Sequence, residues 1–237
     1  MMKAEVDSMF TEKTHAWIAA EFYEKLTASF GERGKKAFIH GTQYYAESRG
    51  RRMAQRAIRD GKELTYGTYM EYGEWVNTQE VKDEGIENRS TIESLSPDLS
   101  IHITQCPWHA QFRAMGLTEA GDTYCAHLDN SICRGFNPYI VYEVPYTLHK
   151  SGFCQHIIRN AGLKEGEAHP KKMEYVKGFD YHCANSFYAY AEVTKAIFGA
   201  EGEQICAAVM ADFEKEYGPE MTAVLKGYAD TNFNVCD

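Results

Sequence analysis

The stretch "DLSIHITQCPWHAQF", residues 98–112, changes its period partway along. Leu99, Ile101 and Ile103 alternate with Ser100, His102 and Thr104, the period of a half-buried strand. Pro107 then suits the first position of a helix, because its missing N–H would have no intrahelical partner there. That helix runs to Met115 and is closed by Gly116, which places Cys106 at its N-cap. A strand that hands over directly to a helix, with a cysteine at the joint, sets the pattern for the rest of the chain.

Upstream, "NRSTIESLS" (88–96) reads as the antiparallel partner strand, joined at Pro97. Downstream, a longer helix with Thr118 as N-cap runs to about Arg134 and ends at Gly135. "YIVYEVPY" (139–146) and "FCQHIIR" (153–159) read as a hairpin across "LHKSG", with Pro145 marking an edge strand. Before the first strand, residues 8–30 form an amphipathic helix carrying Trp17, Ile18, Phe22 and Leu26, broken by Gly31 and Gly34. A second helix spans about 35–60, "TYGTYMEYGEWV" (65–76) is an aromatic connector, and the acidic "EVKDEGIE" (80–87) reads as an exposed loop. The last third is helical over roughly 184–198, 200–217 and 219–228. Strands and helices do not alternate singly, so a parallel Rossmann-type sheet is not expected. The order predicts an α+β fold: a small antiparallel sheet of about four strands packed with helices. We expect one domain over 1–237, with a helical N-terminal region (1–78), a sheet and motif region (88–160) and a helical C-terminal region (171–237).

The chain has 237 residues, enough to bury a core without disulfide staples. Its net charge of −9 argues against nucleic acid as a partner. No apolar run is long enough to span a bilayer, and "MMKAEVDSMFTEKTH" has no hydrophobic signal-peptide core. Seven cysteines, an odd number without an export signal, suit reduced thiols and a cytoplasmic location. Sixteen Tyr and twelve Phe, many in the N-terminal helices, serve either a core or the interface of a homo-oligomer. The one basic run, "RGRRMAQRAIR" (49–59), reads first as a solvated helix face and second as a carboxylate clamp.

Several residues have the chemistry of a site. The free N–H groups at a helix start favour an anion, so Cys106 is a candidate thiolate; its alternative is a small buried packing residue. Cys125, Asp129 and Cys133 recur every four residues and make one stripe of a helix, beside the core-facing stripe of Tyr124, Leu128 and Ile132. Cys154 and His156 are two apart on a strand and share a face, as a nucleophile–base pair or two metal ligands would. Asn137, before Pro138, is either an amide donor or a turn-closing residue. His182 and Asn185 could share a helix face. Trp108 and Phe112, four apart, anchor their helix. There is no CxxC, phosphate-binding glycine loop, HExxH or GxSxG.

These motifs together resemble the L-2-amino-thiazoline-4-carboxylic acid hydrolase family. The resemblance rests on "CPWHAQFRAMGL" (106–117), "YC" (124–125) with Asp129 four on, "RGFNP" (134–138) and "TLHKSGFCQH" (147–156). It extends through "RGRRMAQRA" and "EYGEW" on one side and "DYHCAN" on the other. It implies a hydrolase that opens a small cyclic amidine or isothiourea carboxylate at a C–N or C–S bond, with a small-molecule substrate and no membrane partner.

The residue roles are our own inference. Cys106 is the expected nucleophile, with Cys154 as the second candidate. Asp129 would hold the protonated amidine, and His156 would activate the thiol and then water. Asn137, Arg52 (or another arginine of 49–59), Trp108 and His182 are expected around the substrate. No cofactor is required by this reading. Two alternatives stay open: a metal-dependent enzyme using Cys106, Cys125, Cys154 and His156 as ligands of a divalent ion, and a non-catalytic sensor domain that binds a small molecule or metal.

Overall fold

The computed structural model describes residues 9–237; the first turn expected from residue 8 lies partly outside them. Helix α1 (Glu12–Phe30) begins at Thr11, whose side chain accepts the Lys13 N–H in a reciprocal cap with Thr14. Gly31, at φ 55°, turns the chain into α2 (Glu32–Arg59). Gly34 is therefore not a breaker: it sits inside α2, against the α1 backbone. A short helix α3 (Tyr66–Glu71) occupies the aromatic connector. The acidic segment at 80–87 is not wholly loop, because fully buried Val81 draws Gln79–Asp83 into helix α4.

The sheet has four antiparallel strands: β1 (Arg89–Ser94), β2 (Leu99–Gln105), β3 (Tyr142–Tyr146) and β4 (Cys154–Ile158). Their spatial order is β1-β2-β4-β3, so both hairpins form as expected and Pro145 lies on an edge strand. Register pairs Ile101 with His156 and Ile103 with Cys154, which puts the strand thiol and imidazole on the half-buried face of β2. Between the hairpins lie α5 (Pro107–Ala114) and α6 (Thr118–Phe136). Thr118 is the first helical residue of α6 rather than its cap, since Gly116 (φ 72°) has already turned the chain. Gly135 is also inside α6, which ends at Asn137.

Gly135 and Gly50 explain how the helical layer closes. A Cβ on Gly50 of α2 would lie 2.0 Å from the Ile132 carbonyl oxygen, and one on Gly135 would lie 2.4 Å from that of Glu47. The α2 and α6 backbones touch because neither position carries a side chain. Helices α7 (Phe179–Phe198) and α8 (Ala200–Gly227) complete the layer. α8 breaks at Gly218 and Pro219, where two helices were expected. The main core lies among α1, α2, α5, α6, α7 and α8; a smaller cluster of Leu99, Ile158, Tyr66, Cys133 and Ala161 lies beneath the sheet. The arrangement is α+β. Among the described residues, no helix is long and apolar enough to cross a membrane.

Candidate active site

Where the sheet meets α5 and α6, a cavity of about 170 Å³ opens. Its wall takes Ile103 from β2, Cys106 and Trp108 from the start of α5, and Tyr124, Cys125, Leu128 and Asp129 from α6. Cys154 and His156 close it from β4, while Arg49 of α2, Trp75 and Asn88 close the other side. The four residues expected to carry the chemistry, Cys106, Asp129, Cys154 and His156, thus share one cavity, although 50 positions separate the first from the last.

Local rules put each of them there. Cys106 is the N-cap of α5, extended at φ −156° and ψ 128°, with Pro107 at the first helical position. It is half-buried and makes no capping hydrogen bond. Burial pushes its thiol up to about 12, only partly offset by the backbone N–H groups of His109 and Trp108. The helix-start effect expected from sequence is real in sign and outweighed by desolvation. Burial likewise raises Cys154 to about 11 and holds Cys125 well above the usual thiol range. Cys154 Sγ accepts the Leu148 N–H at 3.1 Å, and Cys125 Sγ lies 3.7 Å from His149 Nε2.

His156 is buried, which lowers its pKa from the ordinary value against the opposing field of Asp129. Its Nδ1 is 2.7 Å from the Tyr142 hydroxyl and its Nε2 is 3.9 Å from Asp129 Oδ2. Tyr142 thereby fixes the ring plane and aims Nε2 at Asp129. Trp108 does reach the cavity, and its Nε1 donates to His15 Nδ1 at 3.0 Å. His15 in turn bonds the Tyr45 hydroxyl at 2.9 Å, which braces the cavity wall from α1 and α2. The helical stripe of α6 splits as its drift requires: Cys125 and Asp129 face the cavity, while Cys133 turns into the cluster beneath the sheet.

Three expected residues lie elsewhere. Arg52 is fully buried; its Nε and Nη2 bind both oxygens of Glu74 at 3.0 and 2.7 Å, and Nη1 donates to the Phe233 carbonyl. The basic run is thus only partly a solvated face: Arg51 and Arg59 are exposed, while Arg49, Arg52 and Arg56 turn inward around Glu74, which occupies Arg52 and keeps it from clamping a substrate. Asn137 closes a turn: its amide donates to the Leu64 carbonyl at 2.8 Å and accepts the Tyr139 N–H. His182 is buried with Nε2 3.1 Å from the Glu74 carbonyl, and burial drives its pKa down to about 3. Trp75, Asn88 and Tyr124 are wall residues that the sequence did not mark as such, and Arg49 was covered only by the expectation that some arginine of 49–59 stands near the substrate. Arg49 and Trp75 fall within "RGRRMAQRA" and "EYGEW", but nothing in the spacing separates the wall residue from its neighbours.

Among the described residues, no group of three His, Cys, Asp or Glu side chains is placed to share a metal ion. Cys106, Cys125, Cys154 and His156 surround the cavity without converging on one point of it.

No curated protein and no solved structure matches this chain significantly. A family model does, over residues 11–156, more than half of the chain and a span that includes every residue of the cavity wall. On that match, the chain belongs to the L-2-amino-thiazoline-4-carboxylic acid hydrolase family.

Proposed function

We propose that this protein hydrolyses a small cyclic amidine carboxylate of the 2-aminothiazoline-4-carboxylate type, with Cys106 as the nucleophile. The observation that carries the reading is the convergence of Cys106, Asp129 and His156, from a helix cap, a helix stripe and a strand, on one cavity. Family membership supports the hydrolase class.

The substrate's C2 carries two nitrogens and the ring sulfur, and its protonated form is an amidinium. Asp129, with its carboxylate at the cavity wall, matches two N–H donors of that cation. The same cation lowers the cost of ionising the buried Cys106 thiol, since an opposite charge nearby favours the charged form. Proton loss is thereby tied to substrate arrival. His156, kept neutral by burial, takes the thiol proton, and the sulfur bonds to C2. The C2–ring sulfur bond then breaks, the leaving sulfur takes the proton from His156, and an S-linked isothiourea remains on Cys106. Water gives a proton to His156 and attacks the same carbon. The C2–Cys106 bond breaks, the proton returns to the Cys106 sulfur, the proton that made the substrate an amidinium passes to solvent, and a neutral N-carbamoyl group on a free thiol leaves. One water is consumed and both thiols end protonated. Cys154, whose sulfur accepts a backbone N–H, is read as a wall residue rather than the attacking thiol.

The test is mass spectrometry of the intact protein, quenched during turnover of 2-aminothiazoline-4-carboxylate. An adduct on Cys106 is expected, with none in Cys106→Ser. Full turnover by Cys106→Ser, or an adduct on Cys154 alone, would overturn the assignment.

A further inference from the structure

A second cavity, of about 320 Å³, adjoins the first and shares three of its wall residues: Arg49, Trp75 and Asp129. Its remaining wall includes Tyr69 of α3, together with His169 and Lys171 of the irregular segment that follows β4. That segment lies beyond the span matched by the family model.

The charges of this second cavity are unbalanced. Arg49 is buried, and its Nε has no hydrogen-bond partner. Its nearest carboxylate oxygen, Glu74 Oε2, is 3.8 Å away and already bound by Arg52 at 2.7 Å. Glu74 Oε1 is taken by Arg56 at 2.6 Å. Lys171 donates to a neutral acceptor, the Trp75 carbonyl, at 2.6 Å and lies over the Trp75 ring. Among the described residues no carboxylate pairs with it. Burial, and then the charge of Arg49, lowers the Lys171 ammonium to about 8, the direction expected of a cation held beside another without a counter-anion. His169 contributes no such surplus, since its Nδ1 is 3.0 Å from Glu71 Oε1. Asp129 and Arg49 thus stand on the wall common to both cavities, and the second cavity adds Lys171, so that it holds one cation without a carboxylate partner and a second whose only carboxylate, 3.8 Å away, is shared with Arg52 and Arg56.

We propose that Arg49 and Lys171 form an anion subsite in the second cavity that binds the carboxylate of the substrate while its ring lies among the thiols. The substrate class is then zwitterionic: a cationic amidine that faces Asp129, and an acid directed away from Cys106 across Trp75. This rests on the reading of the thiol cavity as the hydrolytic centre, and it makes Lys171 a specificity residue supplied by the chain after the matched span. A bidentate guanidinium and a partly desolvated ammonium together suit a planar carboxylate.

The test uses 2-aminothiazole-4-carboxylate, an aromatic analogue that resists ring opening, and its neutral carboxamide. Binding is followed by tryptophan fluorescence, since Trp75 lines both cavities and Trp108 the first. The acid should bind about tenfold more tightly than the amide, the increment of one good charge pair. Lys171→Met should cut that preference at least threefold, and Lys171→Arg should keep most of it. A second measurement needs no turnover: iodoacetate should alkylate the cavity thiols faster, relative to iodoacetamide, in the wild type than in Lys171→Met. Equal binding of acid and amide by the wild type, or a labelling ratio indifferent to Lys171, would overturn the subsite. The two readings separate cleanly. Acid preference without hydrolysis of any cyclic amidine supports the subsite and sinks the hydrolase; equal hydrolysis of acid and amide does the reverse.

Discussion

Replacing Glu74 by Gln tests the electrostatic frame on which the cavity is built. Glu74 is fully buried and accepts from Arg52 Nε at 3.0 Å, Arg52 Nη2 at 2.7 Å and Arg56 Nη1 at 2.6 Å. Burial alone would raise its pKa, but Arg52 above all, with His182 and Arg49, outweighs burial and holds it at about 2, against an ordinary value of 4.5. A depression of that size corresponds to about 3 kcal/mol of folding stability at neutral pH. The amide of Gln also turns donors towards donors and strands Arg52 and Arg49 without a carboxylate, while Arg56 keeps Asp237. Breaking a buried pair on one side costs about 3–5 kcal/mol. For a chain of this size, that is a fall in Tm of roughly 6–20 °C.

The assay is urea unfolding followed by circular dichroism, with wild type and Glu74→Gln compared from pH 7 down to pH 3. The folded pKa lies below the unfolded one, so the contribution of Glu74 is complete above about pH 4.5 and fades as pH falls towards 2. The gap between the two proteins should be flat from pH 7 to 5 and narrow below. A Glu74→Gln protein within about 1 kcal/mol of wild type at pH 7 would refute the reasoning, as would a gap that widens on acidification.

Cys106→Ser should abolish hydrolysis of the thiazoline and leave the thermal midpoint within about 2 °C of wild type, since the change is isosteric at a half-buried site; a large loss of stability would mark Cys106 as a packing residue instead. Burial lowers the pKa of His156, so its neutral form persists to lower pH than for a free imidazole, and the acid limb of kcat/KM should fall below pH 6.5. His156→Gln should remove that limb and cost about 10²–10⁴-fold in kcat. Gly50→Ala places a Cβ 2.0 Å from the Ile132 carbonyl, so α2 and α6 must separate; a loss of about 1–3 kcal/mol or more is expected in urea melts. Asn137→Ala removes turn hydrogen bonds at a residue outside the walls of both cavities and should lower stability by about 1 kcal/mol with kcat/KM unchanged. Equal kinetic loss in that variant would return Asn137 to the site.

Local chemistry made much of this protein legible in its sequence. The period change at Cys106-Pro107 gave strand, cap and helix in the right order, because proline geometry and side-chain alternation act within a few residues. The two-residue spacing of Cys154 and His156 placed both on one face for the same reason, and the split of α8 at Gly218-Pro219 needed only backbone sterics. Helix boundaries marked by glycine were read less well. Gly34 and Gly135 are there to let helices touch, and sequence alone cannot tell a glycine that ends a helix from one that serves a close approach.

Tertiary structure alone decided which arginine faces the cavity. Arg49 and Arg52 are less than one helical turn apart and alike in sequence, yet Glu74, brought in by a distant connector, neutralises Arg52 and leaves Arg49 with a free edge. It also decided the state of Cys106. A helix start stabilises a thiolate and burial opposes it, and only the three-dimensional packing sets how much water remains at the sulfur. Sequence fixes the partners available to a charge along its own helix; desolvation and the counter-ions that answer it come from elements far apart in the chain, and are settled only when those elements meet.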